Sequence, residues 1–121
     1  MRKTVLLAIL SLFSYAREDS FITDYEYAKM LYENPRGIGC DKCHGEDASG
    51  KTIASYFDGK KKKKIYIKAP DIRMIDRKRF FKSFKKNHSI MPTYFLTSDE
   101  IESLYRYVQK QKNKNESKGS K

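Results

Sequence analysis

The chain has 121 residues, room for one domain and little more. Lysine and arginine number 26 against 15 acidic residues, a formal net charge of +11, so its partners are sought among nucleic acids, anionic membranes and acidic protein surfaces. The two cysteines, Cys40 and Cys43, sit so close that a disulfide between them would close a tiny loop and stabilise little, which leaves chemistry as the reason for them.

Arg2 and Lys3 open the chain, an almost wholly apolar run follows from Val5 to Phe13, and Ser14-Tyr15-Ala16 ends it. This is the layout of a secretory signal, with cleavage expected after Ala16 and the mature protein in the periplasm. The rival reading is an uncleaved anchor, but the run is well short of the ~20 residues that span a bilayer. Export places the cysteines in an oxidising compartment. It also argues against nucleic acid as partner, leaving acidic proteins and a weak association with anionic membrane.

Phe21, Tyr25, Ala28, Leu31 and Tyr32 share one helical face, predicting a helix over residues 21–32 that Asn34-Pro35-Arg36-Gly37 stops. Residues 37–50 are punctuated by glycine and hold both cysteines. The unbroken run Lys60–Lys64 reads as a solvated loop, and Ala69-Pro70-Asp71 as extended chain, since the residue before proline avoids helical angles.

A second helix is predicted over residues 76–86, with Asp76 as N-cap and Phe80, Phe81 and Phe84 inward. Its basic first turn, Arg77-Lys78-Arg79, is disfavoured by the helix dipole. A last helix starts at the Thr97/Glu100 capping box and carries the stripe Ile101, Leu104, Tyr105 and Val108. Past Lys110 the composition cannot bury a core, so residues 111–121 are expected to form a basic disordered tail. No strand and no repeat is predicted. The expected fold is all-α, three to five helices wrapped around one cofactor in a domain covering residues 17–110.

Cys40-Asp41-Lys42-Cys43-His44 is a C-x-x-C-H, the attachment pattern of haem c. Two thiols one turn apart can add to the vinyl groups on one porphyrin edge, and the histidine that follows can present its imidazole to the iron. Gly45 lets the chain turn away from the ring. A thioredoxin-type pair would need a βαβ context that this chain lacks. Zinc held by Cys40, Cys43, His44 and His88 would have unusual spacing. For the sixth position Met91, followed by Pro92, is the candidate: a thioether is a soft ligand that raises the potential. His88 competes and would give a lower-potential bis-histidine centre. Met74, between Ile72 and Ile75, reads as core, and Met30 as a helix residue.

The order of helix, C-x-x-C-H, Pro70, Met91-Pro92, Leu96-Thr97-x-x-Glu100-Ile101 and helix resembles the class I monohaem cytochrome c family from about Asp24 to Lys110. The resemblance implies that Pro70 offers its carbonyl to the proximal imidazole of His44, fixing its tautomer. It also implies that first and last helices cross through Ala28, Leu31 and Tyr32 against Leu104, Tyr107 and Val108. The Lys60–Lys64 run has no counterpart in that pattern. There is no tryptophan either, and Tyr66 is the residue placed to reach a propionate.

The expectation is therefore a non-enzymatic single-electron carrier between respiratory redox partners, with one covalent haem c held by His44 and Met91. A cluster of Phe57, Phe80, Phe81, Phe84, Tyr94 and Phe95 would line the ring. Lys42 and the lysine run would steer it to acidic docking surfaces. The alternatives are a subunit of a larger redox complex, or a haem-based ligand sensor with a labile sixth ligand.

Overall fold

The computed structural model describes residues 21–118; the predicted signal, residues 1–16, lies outside them. Thr23 sets the first helix, α1 (Asp24–Glu33), by a capping box. Its hydroxyl accepts from the Glu26 N–H at 3.2 Å, while the Glu26 carboxylate accepts from the Thr23 N–H at 2.9 Å. Two of the helix's unpaired donors are thereby satisfied. The helix thus starts later than the apolar spacing implied, and Phe21, expected on its inner face, stands outside it and is fully exposed.

The remaining elements are α2 (Cys40–His44), β1 (Lys51–Asp58), β2 (Lys63–Ala69), α3 (Arg77–Lys85) and α4 (Ser98–Lys118). The α3 prediction holds, with the Asp76 side chain accepting from the Arg79 N–H at 3.0 Å. The capping box at Thr97 and Glu100 is present as well.

The core is the seam between α1 and α4. Ala28, Leu31 and Tyr32 meet Ile101, Leu104, Tyr107 and Val108, all buried, and Phe80 joins them from α3. Tyr107 packs between Tyr25 and Tyr32, with ring centroids 5.3 and 5.1 Å away. Distances of this size suit tilted aromatic pairs. Ala28 supplies the small side chain that lets these rings approach.

Two expectations are overturned. The fold is not all-α: β1 and β2 form an antiparallel hairpin, paired from Lys51↔Ala69 to Asp58↔Lys63, with a bulge at Ile53. Asp58 folds the turn by accepting from the N–H groups of Lys60 and Lys61, as an Asx turn does. The lysine run is therefore the hairpin's turn and the start of β2, and all five lysines are exposed, as a solvated run should be. Nor are residues 111–118 disordered: α4 continues through Lys118. Gln111 is buried and donates to the Tyr107 carbonyl oxygen at 3.2 Å, and the Lys114 ammonium donates to the Tyr25 hydroxyl at 2.8 Å. Amphipathic side chains can close a helix onto a neighbour where composition alone offers no apolar residue.

Candidate haem site

The loop that follows α1 delivers α2 to the inner surface of the domain. Gly45, with φ of +85°, ends this short helix, and the buried Tyr32 donates to the Gly45 carbonyl oxygen at 2.7 Å. Cys40 and Cys43 are free thiols one turn apart, and both line a cavity of about 320 Å³. Burial, reinforced by Asp41 and Cys43, pushes the Cys40 thiol up to about 12.

His44 lines the same cavity. Its Nδ1 lies 2.9 Å from the Pro70 carbonyl oxygen, the contact implied for it. Two backbone bonds bring Pro70 there. The Gly50 N–H donates to the His44 carbonyl at 2.7 Å, and the Ile72 N–H donates to the Ala48 carbonyl at 3.1 Å. Gly50 is required at that crossing: its φ is +84°, and a Cβ would sit 2.7 Å from the Pro70 carbonyl carbon. With Nδ1 acting as donor to Pro70, Nε2 is the nitrogen left for a metal.

Another part of the wall is a strap, residues 86–97, without regular structure. Met91 and Pro92 line the cavity from it, Met91 half-buried. The strap is fastened on both sides of Met91. His88 Nε2 lies 2.9 Å from the Ser83 carbonyl oxygen, and the Tyr94 hydroxyl donates to the Ile38 carbonyl oxygen at 2.6 Å. Burial pushes the Tyr94 phenol up to about 12, so it stays a donor. Farther on, the Arg36 guanidinium grips both Glu100 oxygens and the Phe95 carbonyl, each at 2.8 Å. That grip holds the Glu100 carboxyl down at about 2.

Most of the remaining wall is aliphatic. Ile53 and Ile67 come from the hairpin, Ile72 and Ile75 from the segment after it, and Leu104 and Val108 from α4. Of the aromatics expected around the ring, Phe80, Phe84 and Tyr94 are there. Phe57 and Phe95 are not: they are 69% and 89% exposed, the first on the hairpin and the second at the outer end of the strap. Phe81 packs on the core and stacks under Arg77. Tyr66 is exposed on the hairpin and away from the cavity lining. Met74, read as core, is 68% exposed, because the turn after Asp71 faces it outward while Ile72 and Ile75 pack inward. Met30 is exposed on α1. The isoleucines of the hairpin are the site residues that sequence reasoning missed; alternation along Ile65-Tyr66-Ile67 was their signal.

The residues fit a haem. The cavity joins two unbridged thiols, an imidazole with one nitrogen tied back, a thioether and a largely aliphatic wall. The zinc arrangement is not assembled: among the described residues no group of three or more His, Cys, Asp or Glu side chains is placed to hold an ion. The comparisons agree. A family model described as Cytochrome c matches residues 25–112. No curated protein and no solved structure matches the chain.

Proposed function

This chain belongs to the cytochrome c family, whose members carry electrons on a covalently attached haem c, and from that premise we propose that it is an exported, periplasmic monohaem carrier passing single electrons between respiratory partners. The observation that carries the proposal is the convergence of Cys40, Cys43, His44 and Met91 on one aliphatic cavity. A haem bound here would supply a one-electron iron couple; Cys40 and Cys43 would tether it, His44 would offer Nε2, and Met91 would offer its sulfur.

Pro70 holds the proton of His44 on Nδ1 and raises the basicity of the other nitrogen. His88 is the weaker candidate for the sixth position, since its Nε2 is engaged with the last turn of α3. Among the described residues Met91 has no such engagement, and it is set between two fastened points. With His44 and Met91 both given to the iron of a bound haem no position would remain for a substrate, which supports reading the protein as a carrier and not an enzyme. Isoleucine, leucine and valine side chains line the cavity and disfavour water there, which would limit reorganisation as charge changes. Acidic docking surfaces on redox proteins suit the net charge of +11. Among the described residues no helix is long and apolar enough to cross a membrane.

Visible spectra of the protein made with a c-type maturation system test the reading. Expected are a sharp reduced α band that survives acid–acetone extraction, and a weak far-red band in the oxidised protein that M91A abolishes and H88A leaves in place. Extractable haem, or a far-red band that survives M91A, would overturn the assignment.

A further inference from the structure

The hairpin does more than wall the cavity at its base. Residues 51–69 hold seven lysines against one acidic residue, Asp58, so more than half of the net charge of +11 sits on this arm. No residue of β1 is buried, and β2 is buried only at Ala69, where it joins the body. The arm stands out from the domain. At ~3.3 Å per residue, Asp58 lies about 17 Å along the strand from the cavity-lining Ile53.

Its far half carries large apolar side chains in the open. Phe57 is 69% exposed, Tyr66 55% and Tyr56 54%. The register puts Phe57 opposite Lys64 and Ser55 opposite Tyr66, on one face, with Tyr56 opposite Ile65 on the other. Lys64 lies 5.5 Å from the Tyr66 ring centre. Aromatic side chains therefore project from both faces of a two-stranded wedge, immediately behind a turn made of lysines.

We propose that the tip of this hairpin docks on an anionic lipid surface, with Lys60–Lys64 among the headgroups and Phe57, Tyr56 and Tyr66 at the acyl boundary. A second copy of the chain is opposed by charge, since residues 51–69 hold seven lysines against one acidic residue. An acidic protein would match the lysines, but a wedge with aromatics on two opposite faces offers it no single face to match. A lipid interface receives such a wedge from all sides: aromatics settle at headgroup depth and lysine stems follow them while their ammonium groups stay in water. Each lysine near such a surface adds to the attraction. The proposal stands apart from the identity of the sixth ligand and from the electron-carrier reading.

The test is cosedimentation of the full-length holoprotein with vesicles of one part phosphatidylglycerol to two parts phosphatidylcholine, read by haem absorbance in the pellet. Vesicles of phosphatidylcholine alone are the control. The parent protein should bind the anionic vesicles and not the neutral ones. K60Q/K61Q/K62Q/K63Q/K64Q should lose at least a hundredfold in partition coefficient, and F57S about tenfold, both with unchanged visible spectra. Removing five lysines elsewhere, K78Q/K82Q/K85Q/K86Q/K112Q, should cost less than a tenth of what the tip variant loses. The proposal is overturned if the parent ignores anionic vesicles or if the tip variants bind as it does, which would move binding to another segment. It is equally overturned if the two lysine variants lose alike, or if F57S changes nothing; the latter would leave charge alone and favour an acidic protein.

Discussion

Gly50→Ala tests the crossing that places Pro70 over His44. The substitution carries two costs. A side chain at φ of +84° loses about 1–2 kcal/mol to its own backbone. The new methyl would also lie 2.7 Å from the Pro70 carbonyl carbon and 2.8 Å from the Asp71 nitrogen, both main-chain atoms with little freedom to retreat. Overpacking of this kind costs about 1–3 kcal/mol. Together the loss is about 2–5 kcal/mol, and for a domain of this size the midpoint of thermal unfolding should fall by ~10–30 °C. Circular dichroism of the holoprotein measures it. Because the displaced carbonyl is the one facing His44 Nδ1, the reduction potential should also rise, the imidazole being less basic. Gly59→Ala is the control: a Cβ there meets nothing within 4 Å, so its effect should stay within about 0.5 kcal/mol. If the two substitutions unfold alike, or if Gly50→Ala leaves the potential where it was, the account of this crossing is wrong.

Three further outcomes are expected. Glu100→Gln removes a carboxyl whose folded value, about 2, lies below the ordinary range, chiefly through the hydrogen bonds from Arg36. The pair's contribution is complete above pH ~5 and is lost as pH falls toward 2, so acid titration should destabilise the parent and leave the variant's stability flatter there. Equal acid slopes would refute this. Leu104→Ala, at a side chain 1% exposed between α1 and the cavity, should cost about 2–5 kcal/mol in denaturant unfolding; a loss under 1 kcal/mol would mean that the seam collapses around the gap. Truncation after Lys110 removes the Gln111 and Lys114 bonds to Tyr107 and Tyr25. It should lower stability by about 1–2 kcal/mol and reduce helical ellipticity; an unchanged midpoint would make the extra turns dispensable.

What the sequence disclosed and what it hid follow from the range of the forces involved. The C-x-x-C-H and the Pro70 contact to His44 were legible because they are covalent or backbone requirements, and Met91-Pro92 lines the same cavity. Caps at Asp76 and Thr97 were legible because they act within one turn. The hairpin was signalled by Asp58-Gly59 and by alternation in β2, but a run of five lysines masked the period. Gln111 and Lys114 could not be read at all, since their value depends on Tyr25, more than eighty residues earlier in the chain. The same holds for the fastening of His88 to Ser83, a contact that bears on the choice between two plausible ligands and leaves no mark in composition. Phe57 and Phe95 show the converse error: an aromatic residue announces a preference for burial, and only topology says whether a wall is there to receive it.

The seam between α1 and α4 has a consequence in time. A chain that emerges N-terminus first presents Cys40–His44 long before Ser98–Lys118 exist to cover the cavity. Until the last helix is made, the cavity that the thiols line lacks the wall given by Leu104 and Val108, and that wall comes with Ser98–Lys118. The domain is therefore built like a box whose lid is made last. A chain cut before Ser98 should still accept haem at both cysteines, yet leave it open to extraneous ligands such as carbon monoxide; failure of the shortened chain to attach haem would show that the lid must be present first.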